Sequence, residues 1–318
     1  MNCSTPTLSI VCPMRDEVDG LPFFFARLLP VLTASAETFE IICINDGSQD
    51  GTLECLRAWQ VTESRLRVID LSRNFGKEAA LTCGLDHARG RAVIPIDADL
   101  QDPPELIVEM ISLWRQGFDV VLAQRTDRSS DGWLKRQTAQ WFYRLHNAIS
   151  EPSISVNVGD FRLMDRRVVD ALKRLPERHR FMKGLFAWVG FRQAIIPYAR
   201  EPRSAGKTKF SGWRLWNFAL EGITSFSTMP LRIWTYVGLV IAGLAFVFGF
   251  FVIARTLLLG RDLPGYASLI SVILFLGGVQ LIGLGVLGEY LGRIYGEAKG
   301  RPIYIVREEH GDVSDARS

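Results

Sequence analysis

Ile94-Pro95-Ile96-Asp97-Ala98-Asp99-Leu100-Gln101-Asp102-Pro103-Pro104-Glu105 is the stretch on which the fold reading turns. The β-branched residues Val93, Ile94 and Ile96 read as a buried strand. It ends in two carboxylates, and Pro103-Pro104 then opens a helix with Glu105 in its first turn. Side chains alternate along an extended chain, so Asp97 and Asp99 share one face at the strand's exit. Carboxylates that close repel one another unless a cation or a donor lies between them. A hard divalent ion carrying a diphosphate is one such arrangement, since Mg2+ takes one or two carboxylates and completes its shell with phosphate oxygens and water. An isolated Asp-x-Asp is more often a solvated turn, so the surrounding chain has to decide.

The flanking segments repeat the same design. Short apolar strands are expected over 8–12, 39–44, 66–71 and 92–96, with a fifth over 120–123 and another over 193–198. Helical spacing fills the gaps through Leu21, Phe24, Leu28 and Leu32, and again through Leu81 and Leu85. Such alternation argues for a parallel α/β sheet covered by helices on both faces, in which ligands gather at the carboxyl ends of the strands. The polar clusters fall at those ends: Pro13-Met14-Arg15-Asp16-Glu17, Asn45-Asp46-Gly47-Ser48, Ser72-Arg73-Asn74-Phe75-Gly76-Lys77, and Asp97 with Asp99. Each alone reads as a solvated loop; together they describe a rim suited to a nucleotide and a metal. No G-x-G-x-x-G follows the first strand and no G-x-x-x-x-G-K-[ST] occurs, which disfavours dinucleotide oxidoreductases and P-loop enzymes.

The 318 residues allow about two domains. A net charge of +3 does not suggest a nucleic-acid partner. The 48% hydrophobic content is unevenly spread: 234–253 is a run of 20 uncharged residues and 267–288 one of 22. At about 1.5 Å per residue either crosses a hydrocarbon core of about 30 Å, so two transmembrane helices are expected. Arg200, Arg203, Lys207, Lys209, Arg214 and Arg232 precede the first, and Arg293, Lys299, Arg301 and Arg307 follow the second. The positive-inside rule therefore places both termini and the α/β domain in the cytoplasm, in a multi-pass protein of the inner (cell) membrane. No basic n-region or apolar h-region opens the chain. Cys3, Cys12, Cys43, Cys55 and Cys83 form no C-x-x-C pair and read as reduced, mostly packed thiols.

The remaining polar segments have a sharp and a bland reading. Residues 125–136 suit a loop over the rim or a plain linker. Trp141, Phe142, Leu145 and Ile149 follow helical spacing, and Gly159-Asp160-Phe161-Arg162 sets a carboxylate among small and apolar residues. Residues 200–209 are cation-rich: either the positive-inside signal itself, or a phosphate clamp in which Arg203, Lys207 and Lys209 donate from a flexible loop. Trp213, Trp216, Leu220, Ile223 and Phe226 form a stripe suited to a helix in the bilayer interface or to one packed on the α/β domain.

Taken in order, these stretches resemble the polyisoprenyl-phosphate glycosyltransferases of glycosyltransferase family 2 over nearly the whole chain. The run Leu287-Gly288-Glu289-Tyr290-Leu291-Gly292-Arg293-Ile294-Tyr295 matches the membrane-anchored branch. The resemblance implies a GT-A fold over 1–210, an interfacial amphipathic helix over 211–230, a two-helix transmembrane domain over 231–295 and a cytoplasmic tail over 296–318. It also implies a nucleotide-sugar donor, Mg2+ or Mn2+, and a polyprenyl phosphate acceptor. Carried over by motif, Pro13, Arg15, Glu17, Asp46, Lys77, Asp97 and Ala98 would line the nucleotide-sugar site. Asp99 would hold the metal, Asp160 the catalytic position, and Arg203, Lys207 and Lys209 the phosphates. The usual Asp-Asp-Gly-Ser reads Asn45-Asp46-Gly47-Ser48 here, a neutral amide in the first place.

The expected chemistry is attack of a lipid phosphate on the anomeric carbon, with inversion and loss of a nucleoside diphosphate. Asp160 is the expected base by resemblance. A phosphate monoester with a second pKa near ~6 is already mostly ionised at pH 7, so Asp160 can instead position the acceptor or stabilise positive charge on the sugar. UDP-glucose is the first expectation for the donor, with GDP-mannose or a UDP-4-amino-arabinose derivative as alternatives. A non-catalytic scaffold for a flippase is the reading from a different class. One sugar per turnover is expected, with a flippase as functional partner. Glycines along both spans fit close helix packing between the protomers of a homo-oligomer, or simply face lipid.

Overall fold

The computed structural model describes residues 5–126, 158–178, 180–199, 229–259 and 265–311. Its strands are β1 (Leu8–Met14), β2 (Phe39–Asn45), β3 (Leu66–Leu71), β4 (Ala92–Pro95), β5 (Val120–Arg125), β6 (Val158–Asp165), β7 (Gln193–Tyr198) and β8 (Val306–His310). The helices are α1 (Leu21–Ala34), α2 (Thr52–Thr62), α3 (Lys77–His87), α4 (Leu106–Arg115), α5 (Arg166–Lys173), α6 (Met182–Trp188), α7 (Met229–Leu259) and α8 (Tyr266–Ala298).

All eight strands form one sheet in the order β7-β5-β6-β4-β1-β2-β3-β8. The run β4-β1-β2-β3 is parallel, as the strand and helix alternation requires. Because side chains alternate, β1 sends Leu8, Ile10 and Cys12 to one core with α1, α2 and α4, and Val11 to a second core with α3, α5 and α6. With both faces covered, these strands read as continuous apolar runs.

Two strands depart from the sequence expectation. β6 was expected only as a segment holding a carboxylate; it is a full strand, antiparallel to both β4 and β5. Residues 306–310, expected within a tail, form β8 antiparallel to β3 at the sheet's edge. β8 is fastened by the Arg67–Glu309 pair at 2.5 Å and the Ser72 amide donating to the Ile305 carbonyl at 2.9 Å, while the Arg57–Glu308 pair at 2.6 Å lies at the solvent surface and holds little. Glu105 precedes α4 rather than opening it, and it pairs with Arg27 through Nε at 2.7 Å and Nη2 at 2.8 Å.

α7 and α8 are 31 and 33 residues long. Within them, Ile233–Phe251 and Phe275–Ala298 are long and apolar enough to cross a membrane. Large apolar side chains such as Leu244, Phe246 and Leu284 stand exposed. A helix that is apolar around its girth and not buried in protein suits hydrocarbon. At its far end α8 touches the α/β domain, where the Glu297 carboxylate accepts the Arg178 amide at 3.0 Å through each oxygen.

Candidate active site

The exits of β1, β2, β3 and β4 converge with the start of the antiparallel β6, and the loops between them are tied together by their own side chains. Asp16, in the left-handed region at φ 55°, donates its amide to Ser48 Oγ at 3.0 Å and accepts the Gln49 amide at 2.9 Å. The Glu17 amide donates to Thr52 Oγ1 at 2.9 Å. Asp50 accepts from the backbone of Val18 and from the amide and hydroxyl of Thr52; these donors outweigh burial and hold its carboxyl below the usual range. Gly47, at φ 63°, lies so close to the β3 exit that a Cβ there would fall 2.5 Å from the Asn74 amide nitrogen.

Asp46 is buried and spends its carboxylate on that neighbouring loop, accepting the Phe75 amide at 2.7 Å and the Gly76 amide at 3.0 Å. It therefore shapes the segment that delivers Lys77. Asn45 explains its own departure from the motif: its Nδ2 donates to buried Asp70 Oδ1 at 2.7 Å, where a second carboxylate would be repelled. Pro13 lies on β1 opposite Ile44, Ala98 is buried, and the Arg15 side chain is about half exposed with Nε 3.7 Å from Asp16.

Lys77 is the junction. Its ammonium lies 2.8 Å from Asp97 Oδ2 and 2.7 Å from Asp160 Oδ2, joining the β4 exit to β6. Burial opposes charging Lys77, but the two carboxylates outweigh it and raise its pKa. Burial pushes Asp97 up, with Asp160 and Asp99 adding to it against the pull of Lys77. Burial acts the same way on Asp160, yet Lys77, then Lys183 and Arg162, bring it down to about 2. Asp160 Oδ1 is buried and has no hydrogen-bond partner among the described residues. Asp99 accepts the Gln101 amide at 3.1 Å, and the chain turns immediately after it through Leu100 at φ 56°. Among the described residues no three His, Cys, Asp or Glu side chains gather as a metal cage. Mg2+ or Mn2+ bound chiefly by phosphate oxygens and one or two carboxylates does not need one, and Asp99 beside Asp97 fits that donor set.

Several residues here were not singled out from the sequence. Glu78, next to Lys77, accepts the Met182 amide at 3.3 Å; burial, then the Asp160 charge, pushes its carboxyl up to about 7. Arg162 is buried, donates to the Gly159 carbonyl at 2.6 Å and stacks on Phe186; burial lowers its pKa to about 10. Buried Asp102 accepts from the Tyr198 hydroxyl and from Arg125 Nη2 at 3.4 Å, while Arg125 Nε donates to the same hydroxyl at 3.0 Å. A Gly159 Cβ would stand 3.2 Å from Arg125 Nη2, so this cluster abuts the strand that carries Asp160. No local spacing announces it, because its members lie 23 to 96 positions apart. Arg203, Lys207 and Lys209, the interfacial stripe and most of the 125–136 loop lie outside the described residues.

Comparisons with known proteins show the family. Residues 9–173 match the family described as glycosyl transferase family 2, and residues 229–294 match the GtrB C-terminal hairpin. The chain is 57% identical to "Uncharacterized glycosyltransferase sll0501" of Synechocystis sp. (strain ATCC 27184 / PCC 6803 / Kazusa), covering 96% of each chain. It is 54% identical to "Bactoprenol glucosyl transferase" of Shigella phage SfV, over 95% of this chain and 98% of that one. Identity is also 54% to "Prophage bactoprenol glucosyl transferase homolog" of Escherichia coli (strain K12), over 94% and 98%. Among solved structures, glucosyl-3-phosphoglycerate synthase from Mycobacterium tuberculosis in complex with Mn2+, UDP-glucose and phosphoglyceric acid is 18% identical. It matches with a TM-score of 0.47 over 69% of this chain and 78% of that one.

Proposed function

Because the chain belongs to glycosyltransferase family 2 and is a GT-A glycosyltransferase, we propose that it transfers one glucose from UDP-glucose to a polyprenyl phosphate, with inversion. The names of relatives at 54% identity over nearly their full length support the sugar and the lipid acceptor. The observation that carries the chemistry is Lys77 bridging Asp97 and Asp160, which sets a donor-side and an acceptor-side carboxylate on one cation.

In this reading the donor lies across the β1, β2 and β4 exits against Pro13, Arg15, Glu17 and Ala98, and Asp46 acts by holding the loop that presents Lys77. Asp99, with Asp97, would hold Mg2+ or Mn2+, which supplies positive charge against the leaving diphosphate. The lipid phosphate attacks the anomeric carbon from the face opposite the diphosphate; the C–O bond to the sugar forms as the one to the diphosphate breaks. Asp160, near 2, is a weak base, and an ionised phosphate needs none. Its charge instead faces the positive charge that develops on the sugar, and its partner-free Oδ1 is available to orient a substrate hydroxyl. Arg203, Lys207 and Lys209 are proposed to hold the phosphates.

A polyprenyl acceptor stays in the bilayer, which gives α7 and α8 their use: they would keep the rim at the headgroup plane. We place 1–210 and both termini on the cytoplasmic side of the cell membrane, with an interfacial helix over 211–230, the hairpin over 231–295 and the C-terminal segment beyond it. A flippase would carry the product across.

The test uses purified protein, undecaprenyl phosphate, Mn2+ or Mg2+, and labelled UDP-glucose, UDP-galactose, UDP-N-acetylglucosamine and GDP-mannose, with Asp99→Asn as control. Label entering the lipid phase from UDP-glucose, and not with the variant, is expected. Transfer from GDP-mannose alone, or from none while nucleotide still binds, would overturn the donor assignment.

A further inference from the structure

We propose that Arg307 on β8 is a positioning residue of the donor site, an inference that rests on the donor placement above. Asp70, on β3, is 1% exposed. One of its oxygens accepts from Asn45 Nδ2 at 2.7 Å; the other, Oδ2, has no hydrogen-bond partner among the described residues and faces Arg307 Nη1 at 3.4 Å. Arg307 Nη2 meanwhile donates to the Ser72 carbonyl at 2.7 Å. A single guanidinium thus touches β3 at Asp70 and the loop at its exit at Ser72. Through Asp70 it reaches Asn45, whose Oδ1 accepts the Ser48 amide at 3.3 Å and sets the turn after β2. Through Ser72 it pins the start of the loop that ends in Lys77.

The charge needs a partner. An uncompensated carboxylate this deeply buried is costly, and the Asn45 amide offers a dipole where Arg307 offers a full charge. Planar, multi-donor geometry suits arginine to hold a carboxylate and a carbonyl together, which a lysine does less well. The residue comes from the chain beyond the apolar hairpin, so the far C-terminal strand becomes part of the donor pocket's support. Arg307 reads from the sequence as one of several positive charges beside a span; the structure gives it a partner and a task.

The experiment compares wild type, Arg307→Met, Arg307→Met with Asp70→Asn, and Glu308→Gln as a control on the same strand, whose Arg57 pair is solvent-facing. Donor KM, kcat, Tm and calorimetric binding of UDP and GDP with Mn2+ are measured for all four. Arg307→Met is expected to raise donor KM and weaken nucleotide binding at least ~10-fold, with kcat within ~3-fold. Asp70→Asn keeps an oxygen for Asn45 Nδ2 and removes the stranded charge, so the double variant should return to within ~3-fold of wild type. Glu308→Gln should change neither. Unchanged donor KM and nucleotide affinity in Arg307→Met, or a loss matched by Glu308→Gln and not rescued by Asp70→Asn, would overturn the proposal. Wild type binding neither UDP nor GDP would instead bring down the donor-site reading, and this inference with it.

Discussion

Replacing Glu78 by glutamine should stabilise the protein in a strictly pH-dependent way. Glu78 sits at the start of α3 between Lys77 and the Met182 amide, and it shares its surroundings with Asp160 and Lys183. Burial first, then Asp160, lift its carboxyl from 4.5 to about 7, against the pull of Lys77, the Met182 amide and Lys183. A carboxyl raised on folding binds more protons in the native state than in the unfolded one between those two values. Stability contributed by this group is therefore full below about 4.5 and is lost as pH rises through about 7. At about 1.4 kcal/mol per pH unit, the interval is worth at most about 3.5 kcal/mol. Glutamine keeps an oxygen to accept the Met182 amide and never ionises. The assay is Tm in detergent from pH 4.5 to 8.5 for both proteins. Their curves should meet near pH 4.5, separate as pH rises to about 7 and keep a constant gap above it, the variant ahead by several degrees, at about 2–4 °C per kcal/mol. Curves parallel over the whole range, or a variant that loses Tm most at high pH, would refute the half-buried, proton-retaining Glu78.

Lys77→Met strands Asp97 and Asp160 together. Breaking a buried pair costs about 3–5 kcal/mol, but the Lys77 side chain is 46% exposed. The low end applies, and kcat/KM for transfer should fall about 100-fold, with Lys77→Arg recovering part; wild-type turnover in Lys77→Met removes the bridge from the mechanism. Asp99→Asn should abolish the Mn2+-dependent part of UDP binding in calorimetry while leaving Tm within about 2 °C, as expected for a partly exposed carboxylate; identical binding with and without Mn2+ in both proteins argues against Asp99 as a ligand. In the hairpin, a Gly283 Cβ would stand 2.0 Å from Trp234 Nε1. Gly283→Val should therefore lower Tm, by about 1–3 kcal/mol of overpacking, and Trp234→Ala in the same chain should relieve it; an unchanged Tm in Gly283→Val means the two helices do not pack there.

What could be read in advance follows from which residues carry local signals. β1 to β4 announce themselves because a strand buried on both faces needs an unbroken apolar run, as Phe39–Asn45 shows. The rim carboxylates were legible because they sit at strand exits, where polar residues have little structural reason to cluster. β6 was less legible: Gly159, Asp160 and Arg162 break its apolar pattern, setting a carboxylate and a guanidinium inside the sheet. β8 was not legible at all. Val306-Arg307-Glu308-Glu309-His310 has the polarity of a tail, and its place in the sheet depends on Arg67 and Ser72, 235 to 242 positions away. Glu78 and the Asp102–Arg125–Tyr198 cluster stayed hidden for the same reason, since burial and distant pairing leave no periodic trace. Asn45 looked like a blemish in a motif until Asp70 supplied its cause.

The position of β8 also sets the order in which the protein can be completed. β3 is an open edge, with unpaired backbone groups, until Val306–His310 arrives. That strand is translated only after both apolar helices, about 235 residues beyond β3. At synthesis rates of about 5–20 residues per second, the wait is roughly 12–50 s. During that interval the sheet lacks its last strand and Asp70 lacks its arginine. On the proposed donor placement, newborn chains complete that site only once β8 has followed both apolar helices off the ribosome. A chain cut off before β8 is expected to be exposed at its β3 edge and to be a substrate for aggregation or proteolysis.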